Sequence, residues 1–121
     1  MDKEINNYLC SKIAAQKDFQ PDWQAHRYLL KDKMFAMHAR DKQGQELLTL
    51  KLAPERGQEL RELYPDQIMP GYYMNKVHWN SILLEKIQDW PASFIKGLID
   101  ESHQLVLGAF SKKVQAELVN S

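Results

Sequence analysis

The residues of this chain that best suit ligand chemistry are concentrated in one stretch, MPGYYMNKVHWN at positions 69–80. Flat aromatic side chains can stack on bases, and lysine or histidine can donate to phosphate oxygens. This mixture is typical of nucleic-acid surfaces, although aromatic residues beside one lysine are also enriched in protein interfaces. The side chains that we expect to make such contacts are Tyr72, Tyr73, Lys76 and His78.

The same stretch also has a purely structural interpretation. Pro70 and Gly71 can make a turn, and Asn75 can cap the single helical turn that follows it. Trp79 would then enter the core, and the ring of His78 would hydrogen-bond to neighbouring backbone. We therefore assign Pro70, Gly71, Asn75 and Trp79 mainly to the scaffold.

Motifs of enzymes and metal sites are absent from the sequence. The four histidines are scattered singly, without His-Glu-x-x-His or Cys-x-x-Cys spacing, so we expect no metal. No Gly-x-Gly-x-x-Gly, Walker loop or Gly-x-Ser-x-Gly occurs. His78 could act as a base together with a carboxylate from elsewhere in the chain. Burial of the His78 ring with hydrogen bonds to backbone would exclude this role. We predict a protein that is not an enzyme and uses no cofactor.

Length and composition predict one domain over residues 1–121. Hydrophobic residues make up 44% and charged residues 26%, both near the average for globular proteins. Apolar runs are short and the N-terminus lacks a signal-peptide pattern, so we expect a cytoplasmic protein without a membrane segment. The single cysteine, Cys10, excludes an internal disulfide, and its apolar neighbours at helical spacing predict that it is buried.

Charge is balanced over the whole chain but not along it. Sixteen basic and sixteen acidic residues cancel, so no global field attracts nucleic acid. Residues 26–51, however, hold six basic residues against three acidic ones, a local excess of three positive charges. Any contact with phosphates should therefore be local.

Three antiparallel strands are predicted at residues 25–30, 34–40 and 46–52, where apolar residues alternate. Gly44 can take the positive φ that closes the turn between the last two strands. The middle strand should have one face formed by Phe35, Met37 and Ala39.

Helices flank these strands. Apolar spacing predicts helices at residues 3–15, 54–63, 91–109 and 111–119, with a further strand at 79–84. Ile13 and Leu63 should face the core, and Gly97 should allow a close approach to the sheet. The predicted order of elements is one helix, three strands, a helix, one or two strands and two C-terminal helices. This order predicts an α+β two-layer sandwich in which the second face of the sheet stays partly open.

The residues PGYYMNKVHWN at 70–80 closely resemble the signature of the MmcQ/YjbR family of small bacterial proteins. Flanking segments agree with the family pattern in order: KMFA at 33–36, LK at 50–51 with PE at 54–55, LIDES at 98–102, LV at 105–106 and KK at 112–113. The resemblance covers about residues 5–118. Tyr73 stands where the family often has histidine, His103 stands where it often has tyrosine, and AAQ at 14–16 replaces a usual Pro-Gly.

This resemblance implies an α+β fold similar to that of secretion chaperones, which agrees with the predicted order of elements. It also implies DNA binding, because the family is described as predicted DNA-binding proteins with a double-wing motif. By analogy the wings are the β-hairpins, where the basic excess lies. The expected phosphate contacts are Arg27, Lys31, Lys33, Arg40 and Lys42, with Lys76, His78 and Trp79 at the centre of the surface. Tyr72 is a further expected nucleic-acid contact.

A second hypothesis is a protein-interaction module that uses an open sheet face as secretion chaperones do. A net charge of zero suits protein partners better than DNA. The partner would then be another protein or a second copy of this chain. Neither a membrane nor a metal is expected as a partner.

Overall fold

The computed structural model describes residues 2–72 and 74–120. Over these residues the chain forms four α-helices and one antiparallel sheet of six strands, which confirms the predicted α+β class. The helices are α1 Lys3–Ser11, α2 Pro54–Leu63, α3 Ala92–Gly108 and α4 Lys112–Val119. The strands are β1 Ala15–Gln20, β2 Ala25–Leu30, β3 Lys33–Arg40, β4 Glu46–Lys51, β5 Ile68–Pro70 and β6 Trp79–Leu83. Their order in the sheet is β1-β2-β3-β4-β6-β5.

The main core lies between the helices and one face of the sheet, which we call the helix face. The opposite side is the second face. Buried side chains of this core come from both layers, and they include Leu9, Leu60, Leu98 and Ile99 from the helices and Tyr28, Leu48, Leu50 and Ile82 from the strands. Burying each such aliphatic side chain contributes about 1.5–3 kcal/mol, so this layer contact supplies most of the stability.

The first helix ends earlier than predicted, and an unpredicted strand follows it. α1 ends at Ser11, and residues 15–20 pair antiparallel with β2 along their whole length. Most β1 side chains are exposed because β1 is an edge strand, so its sequence lacks apolar alternation. Ile13 falls in the connecting turn and is 53% exposed, and Cys10 is exposed because Leu9 takes the inward position. Both were wrongly predicted to be buried.

A β-bulge in β3 separates residues that were predicted to share one face. The register between β2 and β3 shifts so that Phe35 is an extra, unpaired residue. Phe35 therefore lies in the main core, whereas Met37 and Ala39 form a separate cluster on the second face. A single inserted residue inverts the alternation on which the prediction depended.

The hydroxyl of Ser102 in α3 binds backbone groups at this bulge. Its Oγ donates to the carbonyl oxygen of Phe35 at 2.6 Å and accepts from the N–H of Lys51 at 2.8 Å. These groups lie where the ladder between β3 and β4 ends, because the last paired residues are Ala36 and Leu50. Ser102 is fully buried, so it supplies hydrogen bonds that water cannot.

Helix α2 packs closely on β6 through Gly57. A Cβ atom at Gly57 would lie 2.8 Å from Oδ1 of the buried Asn80, and Arg61 donates to the same oxygen. Two predictions about helix residues are wrong. Leu63, at the end of α2, is 63% exposed because Leu60 takes the inward position, and a Cβ at Gly97 would meet no atom within 4 Å.

Replacing Ser102 by alanine should lower the free energy of unfolding by about 1–3 kcal/mol, because it leaves the buried carbonyl of Phe35 and the partly buried N–H of Lys51 without this partner. Denaturant unfolding followed by circular dichroism would measure the change. The matched control is Ser93→Ala at an exposed position of the same helix, where we expect a change within about 0.5 kcal/mol. Equal losses in the two variants would contradict this role of Ser102.

Candidate nucleic-acid interface

The second face of the sheet is covered by residues 71–72 and 74–78, which we call the signature segment. Met74 packs against the cluster of Ala25, Met37 and Ala39. The backbone N–H of Tyr72 donates to the hydroxyl of Ser81 at 3.0 Å. The family motif therefore covers the centre of the second face, whereas the ends of that face stay accessible, in line with the prediction of a partly open face.

Two hydroxyls are buried beneath the signature segment. Ser81 and Thr49 are at most 1% exposed, and their oxygens lie 2.7 Å apart. The register places both side chains on the second face, since Thr49 is opposite Ser81. The hydrogen bond from Tyr72 completes this polar pair, so the strands and their cover depend on each other.

Backbone contacts at both ends hold the signature segment. The N–H of Gly71 donates to the carbonyl of Trp79 at 2.8 Å, and a Cβ at Gly71 would lie 2.6 Å from Cβ of Trp79. Asn75 Oδ1 accepts from the N–H of Val77 at 2.9 Å, and its carbonyl accepts from Trp79 at 3.0 Å. Pro70 is the last residue of β5, opposite Asn80.

The chemically interesting side chains of the segment differ in exposure. Lys76 is exposed and its Nζ lies 3.4 Å from the carbonyl of Gly71. His78 is half-buried, and its ring makes no hydrogen bond to any described residue, contrary to the scaffold interpretation. Trp79 is also half-buried instead of lying in the core, because it faces Lys51 at the less covered end of the second face. Tyr73 lies outside the described residues, so its contact role stays a prediction.

The predicted phosphate-binding residues are divided between two ends of the sheet. Lys31 and Lys33 lie at the turn between β2 and β3, whereas Arg40 and Lys42 lie at the turn between β3 and β4. The eight residues of β3 separate these turns by roughly 20 Å. We call them the Lys33 end and the Arg40 end.

A backbone hydrogen bond places His78 at the Lys33 end, and Lys76 comes two residues before it in the chain. The backbone oxygen of His78 accepts from the N–H of Leu52, just beyond β4, at 2.9 Å. The predicted phosphate contacts together with Lys76 and His78 therefore do not form one continuous patch.

Ion pairs neutralise part of the local basic excess. Arg27 donates two hydrogen bonds to Asp18, at 2.8 and 2.5 Å, and this contact lowers the pKa of Asp18. At the turns, the contacts are weaker, with Arg40 Nη2 at 3.5 Å from a Glu46 oxygen and Lys31 Nζ at 3.8 Å from Glu117. Such exposed pairs contribute about 0–1 kcal/mol, so these cations can exchange partners for phosphate.

At the Arg40 end, the exposed ring of Trp23 borders a cleft of about 700 Å³, which we call the Trp23 cleft. Trp23 ends a short 3₁₀ turn after β1 and is 48% exposed. The guanidinium of Arg27 lies 6.0 Å from the centre of its ring. The cleft is lined by Asp22, Trp23, Gln24, Arg40, Asp41, Lys42 and Met74.

The acidic and basic side chains of this cleft have different contacts. Asp41 accepts from the N–H groups of Gln43 and Gln45, each at 2.9 Å, so its carboxylate stabilises the turn. Lys42 is exposed, and no ion pair or hydrogen bond joins its ammonium to the described residues. Arg40 donates to the carbonyl of Gly44 at 2.7 Å, which fixes its position at the turn.

A second cleft of about 570 Å³ continues along the same end of the sheet. It shares Asp41 and Lys42 with the Trp23 cleft and adds Tyr72 and Lys86. Sequence reasoning did not identify Trp23 or Lys86 as site residues. The available signal for Trp23 was its place directly after Pro21 and Asp22, since a large ring in a polar turn is easily left exposed.

Two negative findings concern only residues 2–72 and 74–120. Within them, no three histidine, cysteine, aspartate or glutamate side chains come together as metal ligands. No helix there is long and apolar enough to cross a membrane.

Fold and motif together define a class of small α+β proteins with a motif-covered antiparallel sheet, and comparisons with known proteins agree. The YjbR family matches residues 11–105. The chain belongs to the YjbR family, as its signature predicted.

Solved structures and a curated relative are similar to this chain over different lengths. Deinococcus radiodurans protein DR2400 has a TM-score of 0.79 and 30% identity, covering 93% of this chain and 84% of that one. A Pseudomonas syringae protein has a TM-score of 0.65 and 27% sequence identity, and the match covers 88% of this chain and 99% of the Pseudomonas protein. Bacillus subtilis YyaQ is 42% identical to this chain over 60 residues. That match covers 50% of this chain and 48% of YyaQ. The chain spans about half the length of the curated relatives it matches.

Replacing Gly71 by alanine should lower the free energy of unfolding by about 1–3 kcal/mol, because the new methyl group would overlap Trp79. Gly97→Ala is the matched control, since its Cβ has open space, and it should be neutral or stabilising by up to about 1 kcal/mol. Thermal melts of both variants would test this. A Gly71→Ala protein as stable as the wild type would show that the close contact is not required.

Proposed function

We propose that this protein binds DNA through the Trp23 cleft and the neighbouring surface at the Arg40 end. The observation that carries the proposal is the exposed indole ring of Trp23, which lies beside the cations Arg27, Arg40 and Lys42. Stacking of a base on such a ring contributes about 1–3 kcal/mol, and the cations can bind the adjoining phosphates. The family resemblance, which implies DNA binding, supports the same function.

The two clefts provide the parts of a short strand-binding surface. Trp23 and Tyr72 offer aromatic groups in adjoining clefts, and Lys42 lines both of them. Lys42 lacks a partner among the described residues, so its ammonium can bind phosphate without first breaking an ion pair. A strand passing this turn would meet a base-stacking surface and a phosphate donor together.

Single-stranded DNA is the form that this surface suits. An aromatic ring can stack on a base only where the base is unpaired and accessible. No strongly positive surface extends along the sheet, because Lys31 and Lys33 lie roughly 20 Å away at its other end. The balanced net charge predicts modest affinity with a steep loss in salt.

The second hypothesis, a partner bound on an open sheet face, receives less support. Met74 and the backbone of Tyr72 occupy the centre of that face. A chaperone-like partner would have to displace the signature segment before it could bind there.

Titration of a labelled single strand, followed by fluorescence anisotropy at low and moderate salt, tests the proposal. Trp23→Ala should weaken binding about tenfold, because it removes one stacked base. Lys42→Gln should weaken binding and make the salt slope shallower by about 0.7 per lost phosphate contact on a single strand. A duplex of the same sequence should bind less tightly.

The matched charge control is Lys112→Gln in α4, which lies outside both clefts and should leave the affinity unchanged. Each variant is exposed at the mutated position, so folding should be preserved. The proposal fails if no binding occurs at tens of micromolar protein in low salt, or if Trp23→Ala binds as the wild type does.

A further inference from the structure

We propose a second ligand site on the helix face, a pocket between α1 and strands β1, β2 and β3 that binds a phosphate group. The pocket has a volume of about 310 Å³. Its lining consists of Lys3, Asn6, Lys17, His26, Tyr28 and His38. No lining residue is acidic, and two of the six are lysines. The site is separate from the Trp23 cleft, with which it shares no residue.

The amide of Asn6 is oriented by two donors. Tyr28 donates its hydroxyl hydrogen to Asn6 Oδ1 at 2.6 Å, and Lys17 Nζ donates to the same oxygen at 2.8 Å. A lysine ammonium can only donate, so the atom that it meets must be the oxygen. The NH₂ group of Asn6 then keeps two N–H donors that no described residue accepts.

Two ammonium groups supply the charge for an anion. Lys17 is held by Asn6 and lies 5.4 Å from the centre of the Tyr28 ring. Lys3 lies in the first turn of α1 and lines the same pocket. Neither lysine makes an ion pair with a described acidic residue. A phosphate group carries about −1.5 to −2 charge at neutral pH, which matches two lysines.

Two imidazole rings form the strand side of the pocket. His26 and His38 are opposite each other on β2 and β3, and their rings stack with centres 6.1 Å apart. Burial lowers the pKa of His26, and the nearby ammonium of Lys17 lowers it further. His38 lies 3.1 Å from the carboxylate of Glu46, which does not line the pocket. Burial lowers the pKa of His38 as well, and its neutral ring gives its one N–H to Glu46, so His26 supplies the imidazole N–H donor at the floor of the pocket.

Phosphate chemistry explains this combination better than a carboxylate ligand. Three phosphate oxygens can accept from several donors at once, and the pocket offers ammonium, amide and imidazole N–H groups around one space. The same chemistry occurs in inorganic phosphate and in the phosphate of a nucleotide. The experiment therefore needs one probe for each source.

Titration of the ¹⁵N-labelled full chain with inorganic phosphate, monitored by NMR, tests the pocket. We expect saturable shifts of the Asn6 side-chain NH₂ and of the His26 and Lys17 amides, relative to sodium chloride at equal ionic strength. A nucleoside 5′-monophosphate, with its nucleoside as control, forms the second arm. Saturation by either phosphate compound supports the site and identifies the source, whereas saturation by neither overturns it.

Two variants test the assigned donors. Asn6→Asp keeps an oxygen for Tyr28 and Lys17 but replaces the free NH₂ by an anionic oxygen, so phosphate binding should be lost. Lys17→Gln should weaken binding about tenfold, and Lys112→Gln, with the same charge change outside the pocket, should not. The spectra themselves report whether each variant is folded. Equal affinities of folded Asn6→Asp and wild-type protein would overturn the proposal.

Discussion

The hydrogen bond from the Tyr72 N–H to the buried hydroxyl of Ser81 joins the signature segment to the sheet. Ser81 also contacts Thr49, so two central strands and their cover share one buried polar group. Two residues after Tyr72, Met74 packs on the apolar cluster at Met37. The remaining organisation of the second face, including the clefts at its Arg40 end, depends on this closure.

The sheet separates two kinds of surface because its faces are covered differently. Helices cover the helix face, and Ser102 fixes the longest of them at the bulge of β3. The second face is covered by a single short segment, so the side chains at its ends stay accessible. Trp23 is exposed at one of these ends, and Met74 of the signature segment lines the same cleft. The family motif thus forms a wall of the proposed DNA site as well as a cover.

Elements with strong local signals were predictable from the sequence, and those set by tertiary pairing were not. Helix α2 begins at Pro54 and ends at Leu63 as predicted, and Gly44 has the positive φ that its turn required. β1 escaped prediction because an edge strand with exposed side chains needs no apolar alternation. The bulge at Phe35 has no signature in local sequence, since the Phe35 carbonyl accepts its hydrogen bond from the side chain of Ser102, far along the chain in α3.

The candidate site was predicted less well for the same reason. Arg40 and Lys42 were identified by charge, but charge along the chain could not show that β3 separates them from Lys31 and Lys33. Trp23 was missed because exposure depends on what packs against a residue. The Asn6 amide was missed because its partners, Tyr28 and Lys17, come from two strands.

Hydrogen exchange of the Tyr72 amide, compared between the wild type and Ser81→Ala, measures the closure of the second face most directly. If the signature segment is fixed as described, the Tyr72 amide exchanges slowly in the wild type, and loss of the Ser81 hydroxyl accelerates its exchange while α3 stays protected. Exchange of the Tyr72 amide in the wild type as fast as that of the exposed turn residue Lys42 would show that the signature segment is not fixed on the sheet.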